Sequence, residues 1–237
     1  MTRIFITGSA DGLGRAAAET LLGEGHDVVV HARDENRLAA AKDLVGRGAS
    51  AVAGDLSDPA ETREVAAQVN RIGDVDVVIH NAGVYTGSAI MPVNVVAPYL
   101  LTALIEGPRR LVYLSSGMHR SGRPDASRLR SGTYADSKLF VTTLAVAVSR
   151  IRPGVAGNAV DPGWVPTRMG GPGAPDDLRL GHLTQEWLAT SDDPEALTGG
   201  GYWHHRQRRD PHPATRERHF QDTLLAALAD LTGTPLS

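Results

Sequence analysis

The chain has no cysteine, which excludes disulfides, a thiolate nucleophile and cysteine-ligated metal. It has no apolar run approaching the roughly twenty residues that a membrane helix needs. It also lacks a basic excess: 24 Lys and Arg stand against 27 Asp and Glu, and a formal charge of -3 offers no general attraction for nucleic acid or anionic lipid. A signal-peptide pattern is missing, since Met1 leads straight into the strand-like "RIFIT". Repeats and low-complexity stretches are missing too. What is left is the expectation of a cytoplasmic protein whose partner is a small molecule, with no nucleic-acid or membrane partner.

What is present is ordinary globular material: 237 residues, 41% of them hydrophobic, enough for one large α/β domain or two small ones. Strand-like runs at 3–7, 26–32, 49–54, 75–80, 110–116 and 155–160 alternate with helix-forming stretches at 16–22, 35–46, 59–72, 94–105 and 133–150. "VDVVIH" at 75–80 is continuously apolar, as in a parallel strand covered on both faces. The alternation predicts an α/β fold: a Rossmann-type, doubly wound parallel β-sheet flanked by helices, as a single domain over 1–237. After Asp161 the regularity weakens, and a Gly/Pro-rich segment, placed within 162–190, is expected to act as a lid over a ligand site. "GGGYWHH" at 199–205 reads as a last short strand, and "FQDTLLAALADL" at 220–231 as an amphipathic helix packed on the body or on another subunit. The arginine-rich stretch 206–219 is interrupted by Asp210 and Glu217, which favours a solvated face over a nucleic-acid patch.

Gly8, Gly12 and Gly14 fall between the first strand and its helix. There the missing side chains permit a tight turn, close approach to a pyrophosphate and close packing of helix on sheet, while the helix N-terminus favours an anion. The second strand ends at Ala32, which cannot bind ribose hydroxyls as an acidic residue would. Arg33 follows at once, and a guanidinium there suits a 2′-phosphate, so NADP(H) is expected in preference to NAD(H). Residues 132–138, "GTYADSK", space Tyr134 and Lys138 by four, which puts phenol and ammonium on one face of a helix. Spacing alone leaves them either a catalytic pair or two ordinary helix residues.

Taken in order, these residues resemble the short-chain dehydrogenase/reductase family over nearly the whole chain. "TGSADGLG" at 7–14 is similar to its glycine-rich loop, "GDL" at 54–56 to its adenine-contacting segment, and "HNAG" at 80–83 to the motif after its fourth strand. "VNVVAPYLLT" at 93–102, "LSS" at 114–116, "YADSK" at 134–138 and "DPGWVPT" at 161–167 complete the set. Within the family, "HAR", "SSGMHRSG" and "YADSK" resemble the retinol-dehydrogenase-like and WW-domain-oxidoreductase-like branch. The resemblance implies an NAD(P)-dependent oxidoreductase that interconverts a ketone or aldehyde and an alcohol. Asn94, Ser116, Tyr134 and Lys138 would be catalytic. The cofactor would be held by Gly8, Ala10, Asp11, Gly12, Leu13, Gly14, Arg33, Asp55, Leu56, Asn81, Ala82, Gly83, Tyr134, Lys138, Pro162, Gly163, Val165 and Thr167. No metal is implied.

Carbonyl reduction needs hydride on carbon and a proton on oxygen. Tyr134 would be the acid, with a pKa lowered by the Lys138 ammonium. Lys138 would also hold the nicotinamide ribose, Ser116 would donate to the substrate oxygen, and Asn94 would hold a water linking Lys138 to solvent. Asp55 would accept from adenine, and Val165 and Thr167 would reach the carboxamide. Ser115, on the opposite side of the strand, is expected to be structural. Only ten residues separate Gly83 from Asn94, so the helix carrying Asn94 should begin late; a monomer or homodimer is favoured over a tetramer. The interval from Ser116 to Tyr134 is also compact, leaving an open pocket. These shortenings motivate an alternative, a non-catalytic dinucleotide-binding sensor or interaction protein. Sugar-nucleotide chemistry is disfavoured by the short C-terminal region. Tyr85, Met91, His119, Trp164, Met169 and Trp203 are candidates to line an apolar substrate pocket, each with core or surface filler as the other reading.

Overall fold

Eight strands form one sheet in the computed structural model, which describes residues 1–236. They are β1 (Arg3–Ile6), β2 (Asp27–Ala32), β3 (Ser50–Ala53), β4 (Val77–His80), β5 (Arg110–Leu114), β6 (Ala156–Asp161), β7 (Tyr202–His204) and β8 (Gln207–Arg209). Their order is β3-β2-β1-β4-β5-β6-β7-β8, all parallel except β8, which turns back on β7. The helices are α1 (Gly12–Gly23), α2 (Glu35–Leu38), α3 (Lys42–Gly46), α4 (Pro59–Ile72), α5 (Ala97–Leu104), α6 (Tyr134–Ile151), α7 (Leu178–Thr190), α8 (Pro194–Leu197) and α9 (Arg218–Thr232). No helix among the described residues is long and apolar enough to cross a membrane.

Alternation along the strands divides the core between the two faces of the sheet. Phe5, Val29, Val78, Leu111 and Tyr113 pack with Val65 of α4, Leu100 of α5 and Phe140 of α6. Ile4, Ile6, Val28, Val30, Ile79 and Val112 pack with Leu21 of α1 and Trp187 of α7. Burial on both faces explains why the strands read as continuous apolar runs. Strand order reverses between β1 and β4, and a crevice opens at the carboxyl ends of the strands at such a switch point.

Four elements differ from the sequence reading. The helix expected over 35–46 is broken into α2, a 3-10 turn at Ala39–Ala41 and α3. Arg15 takes the Ala40 carbonyl at 2.5 Å, and a carbonyl held this way supports the break in the helical ladder. The helix carrying Asn94 already starts at Ile90 and passes through a π turn at Pro92–Val96; Pro98 has no N–H to give the Asn94 carbonyl its ordinary helical bond. The last strand is followed by a second one, β8, whose "QRR" carries no apolar alternation and so gave no signal. Finally, the lid expected over 162–190 is only half irregular: the latter part is α7, with His182, Gln185, Trp187 and Leu188 buried, and only the part before it is free of regular structure.

Two buried histidines carry a measurable consequence. His31 Nε2 lies 3.0 Å from the Gly54 carbonyl and its Nδ1 accepts from the Gly8 N–H at 3.0 Å, so the ring is a neutral Nε2–H tautomer. His80 stacks on Tyr113 at 4.6 Å and bonds Thr102. Burial pushes His31 down to about 4 and His80 down to about 3. Because both values lie below that of an unfolded histidine, the unfolded chain binds more protons as pH falls below about 6.5, and stability falls with it. Denaturant unfolding should therefore give a free energy roughly 3 kcal/mol lower at pH 5 than at pH 7. Equal values at the two pHs would show that these rings charge without unfolding the chain.

Candidate active site

The loop after β1 is shaped by what its glycines leave out. Gly8 has φ +63°, and a Cβ there would sit 3.0 Å from the Ala82 Cα. A Cβ on Gly14 would lie 2.3 Å from Asn81 Nδ2. The space so preserved lets Asn81 Nδ2 donate to the Thr7 carbonyl at 2.9 Å and the Gly8 carbonyl at 3.2 Å, while the Ala82 N–H donates to Thr7 Oγ1 at 3.0 Å. His31, from β2, supports the loop from the other side through Gly8. The loop is thereby fixed between the ends of β2 and β4, with the N-terminus of α1 open above it and capped by Asp11.

A cleft of about 390 Å³ runs from this loop to the start of α6. It brings together Gly8, Asp11, Gly12, Leu13, Arg33, Asp55, Leu56, Asn81, Ala82, Gly83, Tyr134, Lys138, Pro162 and Thr167 of the expected set. Gly14, Ala10 and Val165 are buried behind the wall; the Val165 side chain packs over Gly181. Gly163 turns at φ +81°, its N–H held by Asp161 at 3.1 Å. The left-handed glycines, the tight approach at Gly14 and an anion-favouring helix end fit a dinucleotide laid along the strand ends. Arg33 stands at the cleft edge with an exposed side chain, 3.4 Å from Asp34. The Asp34 carboxylate meanwhile caps α2 by accepting from the Arg37 N–H at 2.8 Å.

At the other end, a capping box of Thr133 and Asp136 starts α6 and so presents Tyr134 as its first residue, with Lys138 one turn on. Ser116, whose hydroxyl oxygen accepts from the Met118 N–H at 3.2 Å, is near enough to the Tyr134 phenol to work on its acidity but lines neither the cleft nor the opening beside Met118. Lys138 Nζ donates to the Leu114 carbonyl at 2.7 Å and lies 5.4 Å from the Tyr134 ring centroid. Burial lowers this ammonium to about 8, opposed by the Asp161 carboxylate. The phenol does not follow the expectation that Lys138 lowers it. Burial pushes it up to about 12, Ser116 works against that, and the nearby Asp161 and Tyr85 add to it.

Asn94 is 2% exposed. Its Oδ1 accepts from the Val84 N–H at 2.8 Å, and its Nδ2 donates to the Val84 carbonyl at 2.9 Å and Ser137 Oγ at 3.0 Å. The amide thus ties the segment after β4 to the residue beside Lys138. Ser115 is buried, bonded to Thr142 at 2.6 Å, and stands in the cleft wall. Met91, His119 and Trp203 are core; Tyr85, Trp164 and Met169 are exposed. His119 still bears on the site, since its Nδ1 donates to the Ser116 carbonyl at 2.8 Å and its Nε2 accepts from the His212 N–H.

Three residues around the site had no assignment in the sequence. His31 lies inside "HAR" and carries the loop. Asp161 ends β6, and its Oδ2 accepts from the Tyr202 hydroxyl at 3.0 Å; an acid as the last residue of a parallel strand, where ligand-facing side chains gather, was the available signal. Arg168 joins the cleft wall from the segment after Thr167 and had no motif to mark it.

Comparison with known proteins bears on this arrangement. The family model described as short chain dehydrogenase matches residues 2–177. The short-chain dehydrogenase chyC of Penicillium rubens is 37% identical over 256 residues, covering 100% of this chain and 99% of its own. A solved structure of an uncharacterized protein from Mycobacterium paratuberculosis superposes with a TM-score of 0.81 at 24% identity, over 100% of this chain and 95% of that one. A blue fluorescent protein from a metagenomic library, solved with NADPH, gives 0.72 at 24% identity, over 86% and 95% of the two chains.

Asp161 raises the values of both Lys138 and Tyr134, so removing its charge must lower both. In Asp161→Asn the Lys138 ammonium should titrate below about 8, read from the pH dependence of its acylation rate by peptide mapping. An unchanged midpoint would show that this carboxylate does not reach the pair.

Proposed function

The chain belongs to the short-chain dehydrogenase/reductase family, oxidoreductases that act on carbonyl and hydroxyl groups with NAD(P), and on that footing we propose that it reduces a ketone or aldehyde to an alcohol with NADPH. The observation that carries this reading is the meeting of Tyr134 and a buried Lys138 in the wall of the cleft, one helical turn apart, with Lys138 Nζ 5.4 Å from the Tyr134 ring centroid. The dinucleotide, held by the glycine loop, Asn81 and the Pro162–Thr167 segment, would supply hydride to the carbonyl carbon.

A phenol held up at about 12 is protonated at neutral pH and stands ready to donate. Tyr134 gives its proton to the carbonyl oxygen as that oxygen gains charge, and Ser116 donates to the same oxygen. The resulting phenolate is stabilised by the ammonium of Lys138, which then returns the proton. With Lys138 brought to about 8 and the phenol held at about 12, that return runs downhill, and Lys138 then regains its own proton from solvent. Asn94 keeps the turn beside Lys138 in register and fixes the segment after β4 that carries Tyr85. Asp161 disfavours phenolate, which keeps the resting phenol protonated and makes it a weaker acid.

NADPH is preferred on the strength of Arg33. Its guanidinium reaches the cleft edge where a 2′-phosphate would lie, and the adjacent Asp34 carboxylate is engaged in capping α2. The blue fluorescent protein solved with NADPH shares the fold and is consistent with this choice.

Oxidation of NADPH across a panel of ketones and aldehydes should show turnover that Tyr134→Phe reduces by roughly 10² to 10⁴-fold. No turnover above that variant for any member would instead favour a non-catalytic dinucleotide-binding protein. Arg33→Ala should raise the KM for NADPH by roughly tenfold or more and leave that for NADH nearly unchanged; tighter binding of NADH by the native chain would overturn the NADPH preference.

A further inference from the structure

Tyr134 is shared by two cavities. One is the cleft already described; the other, of about 450 Å³, is lined by Tyr85, Met118, Ser121, Arg123, Arg128 and the first turn of α6. Its walls are of two kinds. Tyr85 and Met118 are large side chains left 49% and 43% exposed, and the Tyr85 ring lies 4.7 Å from that of Tyr134. A partly exposed aromatic and a partly exposed thioether in one cavity suit a flat apolar body.

The two arginines differ in what holds them. Arg128 is neutralised: its Nε and Nη2 both lie 2.9 Å from Asp136 Oδ2. That buried carboxylate also accepts from the Arg123 N–H and the Thr133 N–H, each at 2.8 Å, and from Thr133 Oγ1 at 2.9 Å. These bonds hold Asp136 down at about 2, so the Arg128–Asp136 pair is closed and charged at any working pH. Arg123 is anchored through its main chain to that carboxylate, yet its guanidinium has no ion-pair or hydrogen-bond partner among the described residues. The nearest acid in sequence, Asp125, caps the next turn by accepting from the Ser127 N–H at 3.0 Å. Arg123 is exposed and is one of the residues that line the cavity together with Tyr134.

We propose that this cavity takes the substrate and that the substrate is an aromatic ketone or aldehyde carrying a carboxylate. The carbonyl oxygen meets Tyr134, the ring lies between Tyr85 and Met118, and the carboxylate pairs with the fork of Arg123. Asp161 does not line this cavity and its carboxylate is held by Tyr202 and Gly163. It repels an anionic substituent from its own side, so orientation follows from one repulsive and one attractive charge. The inference rests on Tyr134 being the proton donor.

The test uses 4-acetylbenzoate, 4-acetylphenylacetate and 3-(4-acetylphenyl)propanoate, each beside its methyl ester, with NADPH. For at least one length, the native chain should give a kcat/KM for the acid at least tenfold above that for the ester, carried mainly in KM and shrinking as salt is added. Arg123→Ala and Arg123→Gln should each reduce that acid-to-ester ratio to near one. Equal use of acids and esters by the native chain, abolished together in Tyr134→Phe, would overturn the anion site and leave the reductase reading in place. A preference for acids that survives both Arg123 variants would overturn it as well. Absence of turnover with every member would sink both readings.

Discussion

Asn81 donates from one amide nitrogen to the carbonyls of Thr7 and Gly8, and this contact joins the end of β4 to the turn that leaves β1. It forms only because Gly14 has no side chain to occupy the same space. The two strands flank the point where the sheet reverses its order, so the bond sits at the floor of the crevice the fold creates there. His31 braces the turn from β2 by accepting from the Gly8 N–H. Fixed on both sides, the loop leaves the N-terminus of α1 facing open space. The segment after Asn81 in turn carries Val84 to Asn94, which passes the constraint through Ser137 to the helix bearing Tyr134 and Lys138. A chain of polar contacts therefore runs from the phosphate end of the cleft to the tyrosine end.

At the tyrosine end, electrostatics depends on depth. Lys138 is withdrawn from water and loses part of its hold on its proton; Tyr134 is withdrawn too and tightens its own. Asp161 acts on both in the same direction, retaining protons. A site so arranged rests in the protonated form, and the work of lowering the phenol falls to whatever positive charge enters the cleft during reaction.

The layered fold was legible because it is written in repetition: apolar runs of strand length, each followed by a helical stretch, are forced by a sheet buried on both faces. The glycine loop and "YADSK" were legible because their chemistry needs fixed spacing on consecutive elements. What escaped depended on contacts distant in the chain. Nothing local marks His31 as the support of Gly8, or places Asp161 against a tyrosine 27 positions earlier. The lowering of Tyr134 by Lys138 was expected from the family resemblance, but burial, a property of the whole fold, weighs more. The break in 35–46 lies where Arg15 reaches across to Ala40, and β8 follows a turn with no glycine.

That turn joins β7 to β8 through His205 and Arg206, both in the left-handed region at φ 48° and 61°. Its backbone matches the tight two-residue connection that suits the twist of paired strands, even though neither residue favours the conformation. The result is a final strand of Gln207, Arg208 and Arg209, all exposed. A sheet that ended at β7 would offer the unpaired backbone of "YWH" to any passing strand. With β8 in place, the margin presents two like charges, and a second copy approaching edge to edge meets its own sign. The sheet edge is thus charged as well as turned back, which disfavours further strand pairing there.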